Sequence, residues 1–239
     1  MIRDVLRENF KLIDKNEEIS NIFGYLYEDR FFPIIMDGKK PWGIVDIRLL
    51  LKRKLSINEK IKDFVVGLPK IDASYSIKKA KQIMLKSGQP YLLVTYEGEL
   101  IGYITAIDIA MALGNKKAKD IMKFIQPIKE EDRVATAISM LRKQGVSIIP
   151  VVKDDKLIGV VRARDLIKIE TTHDKKTDYH PEKTSPLDMQ IKGLLERGIR
   201  VVEPEAREEL IKIVDKQGFA IVCEGKKYKG LIELIDLIR

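Results

Sequence analysis

Two periods of apolar residues alternate along this chain. Phe10-Lys-Leu-Ile13 and Phe31-Phe-Pro33-Ile-Ile-Met36 are short runs rich in aromatic and branched residues, the mark of strands. Between them Ile19, Ile22, Phe23 and Leu26 recur at i, i+3, i+4 and i+7, which predicts a helix with one apolar stripe. Pro41-Trp-Gly43-Ile-Val45 reads as a further strand, set off by the hairpin-type turn Asp37-Gly38-Lys39-Lys40. Asp46 to Leu51 then opens a second helix. The order is strand, helix, strand, strand, helix.

That order returns three more times, and one stretch punctuates every copy. It reads Gly43-Ile-Val-Asp46-Ile-Arg-Leu49-Leu50, Gly102-Tyr-Ile-Thr105-Ala-Ile-Asp108-Ile109, Gly159-Val-Val-Arg162-Ala-Arg-Asp165-Leu166 and Gly230-Leu-Ile-Glu233-Leu-Ile-Asp236-Leu237. Repeats two and three align without a gap at a shift of 57, with Lys62-Asp63 on Lys119-Asp120, Ala80 on Ala137 and Gly88 on Gly145. An internal repeat of this length means that each copy is one supersecondary unit, so the fold follows from stacking the copies. Repeat four follows a polar stretch, residues 170–186, whose composition predicts an exposed linker. Gly218 lies 12 residues before Gly230, against 14 between the matching glycines of repeats two and three, which predicts a hairpin two residues shorter and an altered pocket.

The recurring turn has two readings. A Thr at the N-cap with an acid three residues on is close to a capping box, and the acid also suits the helix dipole. Across the copies, however, the cap position drifts through Asp46, Thr105, Arg162 and Glu233, while the acid position holds Leu49, Asp108, Asp165 and Asp236. Two of those caps are poor ones, and Asp survives in three copies where capping alone does not require it. The second reading is therefore a ligand site. Free N–H groups at a helix start favour phosphate, and a carboxylate one turn in can accept both hydroxyls of a ribose diol.

Composition narrows the classes further. The chain has 239 residues, 45% apolar and 33% charged, with no run long enough to cross a bilayer, and the mixed charge of residues 1–8 predicts no signal peptide. A single cysteine, Cys223, excludes an intrachain disulfide framework and suits a reducing cytoplasm; its neighbours Ala220-Ile-Val222 predict an inert core thiol. The net charge of +8 is spread thinly, with 18 Lys/Arg against 15 Asp/Glu in residues 1–115 and 26 against 21 in residues 116–239. No basic cluster marks a nucleic-acid footprint. His173 and His180 stand in the polar stretch near Asp174 and Asp178, at a spacing that matches no metal-ligand pattern. No catalytic set and no phosphate loop is present, and the repeats consume the chain, so the expectation is a protein that is not an enzyme.

The β-α-β-β-α repeat ending in Gly-h-x-[Ser/Thr]-x-x-Asp-h (h, apolar), with stretches such as Asp120-Ile-Met122 and Ile148-Ile-Pro150-Val-Val152, resembles the cystathionine-β-synthase (CBS) domain family. The resemblance implies an α+β fold of four such repeats with small mixed sheets, paired as two Bateman modules, residues 1–115 and 116–239. It implies clefts that bind AMP, ADP, ATP or S-adenosylmethionine as regulatory ligands, with no cofactor required. Carried over by position, Thr105 and Asp108 would hold a ribose in repeat two, the one complete signature. Repeat three would offer Asp165 with Arg162 and Arg164, and repeat four Asp236. Adenine walls would come from Leu68, Pro69 and Ile71 and from Ile125, Pro127 and Ile128; Arg30 would be a phosphate contact. The expected function is a ligand-sensing regulator that signals occupancy to a protein partner, with a homodimer allowed. The competing reading is a nucleic-acid-binding or scaffold protein that uses its basic surface.

Overall fold

The computed structural model describes residues 1–27, 32–51, 56, 58–172 and 185–239. Repeat one comprises β1 (Phe10–Asp14), α1 (Ile19–Tyr27), β2 (Phe32–Asp37), β3 (Lys40–Val45) and α2 (Ile47–Leu50). After β4 (Val65–Gly67), repeat two runs β5 (Lys70–Asp72), α3 (Ile77–Ser87), β6 (Tyr91–Tyr96), β7 (Glu99–Thr105) and α4 (Ala106–Leu113). After α5 (Ala118–Ile121), repeat three has α6 (Val134–Gln144), β8 (Ile148–Lys153), β9 (Lys156–Arg162) and α7 (Ala163–Thr172). Repeat four has β10 (Val201–Val202), α8 (Glu208–Gln217), β11 (Phe219–Glu224) and β12 (Lys227–Glu233), and closes in a 3₁₀ turn, Leu234–Ile238. The first strand of each repeat runs parallel to the third element and the hairpin is antiparallel, so the sheets are mixed. In repeat three that first strand shrinks to one parallel bridge, Ile128 to Val151.

The helices form where the sequence pattern and the caps agree. Ser76 caps α3 by accepting from the Lys79 N–H, Gly88 ends it in the left-handed region at φ 68°, and Ala80 and Met84 on its inner face are fully buried. In α6 the same face is Val134, Ala137, Ile138 and Leu141.

A feature absent from the repeat pattern organises the sheets. The segment that leads into each repeat pairs with the last strand of its neighbour. Arg7, before repeat one, bridges Tyr103 of β7 in repeat two; β4, before repeat two, pairs with β3 of repeat one. Lys123, before repeat three, bridges Leu231 of β12 in repeat four, and Glu196, before repeat four, bridges Val160 of β9 in repeat three. This crossing explains the recurring glycine. A Cβ on Gly102 would lie 2.4 Å from the Arg7 carbonyl oxygen, on Gly159 2.5 Å from that of Glu196, on Gly43 1.9 Å from that of Val66, and on Gly230 3.0 Å from that of Lys123.

Burial then divides along two directions. Ile34, Leu68 and Leu93 pack the sheets of repeats one and two together, and β9 and β12 join repeats three and four in a single five-stranded sheet. The helices pack the other way. One core joins Ile19, Ile22 and Leu50 of repeat one to Ile138, Leu141 and Leu166 of repeat three; a second joins Met84, Ile107 and Ile109 of repeat two to Leu210, Val214 and Leu237 of repeat four.

Two sequence expectations need correction. The hairpin of repeat four is not shortened: β11 and β12 have six and seven residues, as do β8 and β9. The two missing residues fall between helix and sheet, because β11 starts directly after the cap Gly218, whereas Val146 and Ser147 separate Gly145 from β8. Also, α7 continues to Thr172, so the first residues of the expected linker are helical; 173–184, with both histidines, and Arg30 lie outside the described residues.

Gly102→Ala and Gly159→Ala should each lower the free energy of urea unfolding by roughly 1–3 kcal/mol, the usual cost of overpacking. Gly24→Ala, exposed in α1 with nothing within 4 Å of the added carbon, should raise it by about 0.5–1 kcal/mol. Cys223 is buried, and burial pushes its thiol up to about 11, so the thiolate is scarce below that pH. At pH 8.5 a disulfide-exchange reagent should label it slowly in the folded protein and fast in urea; equal rates would contradict this burial.

Candidate functional site

β7 runs directly into α4, with Thr105 as the N-cap in extended conformation. The first five residues of that helix, Ala-Ile-Asp-Ile-Ala, are buried because α3, α8 and the closing 3₁₀ turn all pack on it. Asp108 is therefore a carboxylate in an apolar setting, only 8% exposed. An ionised carboxylate is tolerated there only if its oxygens are hydrogen-bonded and its charge is answered. Both conditions are met. Oδ2 accepts from the Thr105 N–H and from Thr105 Oγ1, each at 2.8 Å, and the Asp108 N–H donates to Thr105 Oγ1 at 3.4 Å, which completes a capping box.

The charge is answered from the neighbouring repeat. Arg7 Nε donates to both Asp108 oxygens at 3.0 Å, and Nη2 donates to Oδ1 at 2.8 Å. The Arg7 backbone is held by two hydrogen bonds with Tyr103, N–H to O at 2.9 Å and O to N–H at 3.0 Å. The hydrogen bond to Asp108 holds the Arg7 pKa above its ordinary value against partial burial. Arg7 Nη2 also lies 3.7 Å from Asp215 of α8.

The same crossing position meets the helix start in the other copies with a different charge each time. In repeat four Lys123 Nζ lies 2.9 Å from Asp236 and 3.3 Å from Glu233, and Asp236 also accepts from the Glu233 N–H at 3.0 Å and pairs with Arg239 at 2.8 Å. In repeat three the polarity is inverted. The cation is at the cap, Arg162, and the acid crosses over, Glu196, in a two-point ion pair that includes Nη2 to Oε1 at 2.7 Å. Arg162 also donates to the Gln217 carbonyl oxygen at 3.1 Å and stands over the Phe219 ring. The hydrogen bond from Arg162 lowers the Glu196 pKa. In repeat one both partners are gone: Leu49 stands at the acid position and Val66 crosses over, while Asp46 binds Arg48 of its own helix. Asp46 and Arg48, with Val66, Gln89, Ser147 and Glu233, line a cavity of about 240 Å³ where the four repeats meet.

The remaining sequence candidates are placed as follows. Arg164 lies 4.0 Å from Asp165. Leu68 is buried between the sheets of repeats one and two, the Pro69 carbonyl accepts from the Leu93 N–H, and Ile71 is buried in the second helical core. Ile125 and Ile128 are buried in the first core, Ile125 with its backbone bonded to the Tyr228 hydroxyl, and Pro127 is half-buried between them. Arg7, Lys123 and Glu196 were missed. They lie 101, 110 and 34 residues from their partners, so no local pattern joins them; only the shift of 57, which sets Val66 on Lys123, marks the position at all.

Among the described residues no cluster of three or more His, Cys, Asp or Glu could hold a metal ion, and no helix is long and apolar enough to cross a membrane. The family model described as the CBS domain matches residues 61–115 and 118–171. The CBS domain-containing protein MJ0729 of Methanocaldococcus jannaschii is 29% identical over 126 residues, covering 50% of this chain and 95% of that protein. Protein MJ1225 of the same organism is 22% identical over 196 residues, 70% of this chain and 69% of its own length. The crystal structure of MJ1225 superposes with a TM-score of 0.80 at 15% identity, over 99% of this chain and 98% of that one. A conserved protein from Pyrococcus horikoshii superposes with a TM-score of 0.63 at 17% identity, over 98% and 96%. The β-α-β-β-α architecture and this direct match identify residues 61–115 and 118–171 of this chain as two CBS domains.

Proposed function

We propose that the protein is a ligand-sensing regulator of four CBS domains, paired as residues 1–115 and 116–239. It binds an adenosine nucleotide at the start of α4 and passes occupancy to a protein partner. The observation that carries the reading is Asp108: a buried carboxylate one turn into a helix, oriented by Thr105, whose charge is answered by a residue of the other repeat. A ribose diol is the chemical group that fits such a carboxylate, since its two hydroxyls donate to the two oxygens, and the N–H groups of the helix start favour the attached phosphate. A ligand there touches the contact between repeats one and two directly. Differential affinity for two arrangements of that contact is what a sensor requires.

Repeats three and four support the reading less well. Arg162 is engaged by Glu196, and Asp236 is completely buried between Lys123 and Arg239. Isothermal titration with AMP, ATP and S-adenosylmethionine tests the proposal, and absence of heat with all three, at concentrations that resolve micromolar binding, would refute it. Asp108→Ala should weaken binding by tenfold or more. Asp236→Ala should weaken binding less but lower stability by about 2 kcal/mol, short of the 3–5 kcal/mol of a fully buried pair because Lys123 remains about one-third exposed. Equal losses of affinity in the two variants would show that the two carboxylates had been ranked wrongly.

A further inference from the structure

We propose that Arg7 is a built-in competitor for Asp108, an arm that must leave the carboxylate before a ribose can take it and that moves across to Asp215 when it does. This rests on the function proposed above and names the residue that sets the affinity of that site. The acceptor capacity of Asp108 is already used. Oδ1 receives Nε and Nη2 of Arg7, and Oδ2 receives the Thr105 N–H, Thr105 Oγ1 and Arg7 Nε. The Thr105 bonds engage Oδ2 alone, and Arg7 supplies both bonds to Oδ1. A diol donating two hydroxyls to Asp108 therefore displaces the guanidinium and not the threonine.

The arm is built to move. Its backbone is fixed by the two hydrogen bonds to Tyr103, so displacement is a side-chain rotation that leaves the crossing strand in place. Its side chain is one-third exposed, unlike that of Asp108, and a second carboxylate is within reach: Asp215, on α8 of repeat four, 3.7 Å from Nη2 and 44% exposed. Arg7 thus lies between an anion in repeat two and an anion in repeat four. Ligand at Asp108 leaves Arg7 to Asp215 alone and so strengthens the tie between the N-terminal segment and α8. An internal competitor lowers the apparent affinity by the fraction of molecules in which it is bound, and a second partner for it raises that affinity.

AMP titrated calorimetrically into the full-length protein tests this. Arg7→Gln should bind AMP about 5- to 10-fold more tightly than wild type. Asp215→Asn should bind about twofold more weakly, since Arg7 then has Asp108 alone. The double variant should match Arg7→Gln, because Asp215 acts only through Arg7. Thermal unfolding of each variant establishes that it is folded. If wild type binds AMP and Arg7→Gln binds equally or more weakly, Arg7 is a ligand contact or a bystander and the competitor is overturned while the nucleotide site stands. If neither wild type nor Arg7→Gln binds AMP at millimolar concentration, the competitor falls together with the nucleotide reading.

Discussion

A backbone carbonyl occupies the space beside each of four glycines, and the rest of the molecule is arranged around that contact. The segment leading into one repeat crosses to the last strand of its neighbour and approaches it so closely that a methyl group cannot be accommodated at Gly43, Gly102 or Gly159. Strand pairing sets the position of the crossing residue. Because the paired strand ends three or so residues later in a helix, the side chain of that residue is delivered to the helix start. Backbone geometry in this way decides which side chain from one repeat reaches the carboxylate of another.

Electrostatics then follows from burial. Asp108 and Asp236 sit in helix starts enclosed by apolar side chains, where an ionised carboxylate without a partner is costly. Each is answered by a cation on the crossing segment, Arg7 or Lys123. Where the cap is itself a cation, Arg162, the crossing residue is an acid, Glu196. Where the acid position is apolar, Leu49, the crossing residue is Val66, and nothing charged crosses. The same position thus carries plus, plus, minus and neutral, each complementary to its own helix start. For Asp108 and Asp236 this gives the acid of the helix start a structural cause beyond capping, whereas Asp165 of repeat three does not share it, since an acid crosses there.

The two packing directions make such a pair consequential. Sheets join repeat one to two and three to four, while helices join one to three and two to four, so each repeat touches two others through different surfaces. A side chain at the start of α4 stands at the junction of both. Arg7 reaches it through the sheet direction, and Asp215, on α8, belongs to the helix direction.

By itself, the chain's pattern determined the repeat, the order of elements within it, the core cysteine and the punctuating turn, because each depends on residues within a few positions of one another. Gly88 and the Thr105–Asp108 capping box are of this kind. The same reading misplaced the two-residue deletion of repeat four, since spacing between glycines cannot say whether a hairpin or a connection has shortened. The tertiary structure alone decided why the punctuating glycine is a glycine and which residues face the helix starts. Those contacts join Arg7 to Asp108 and Arg162 to Glu196 across 101 and 34 residues, and each is created by a backbone crossing between repeats that has no local periodicity to announce it.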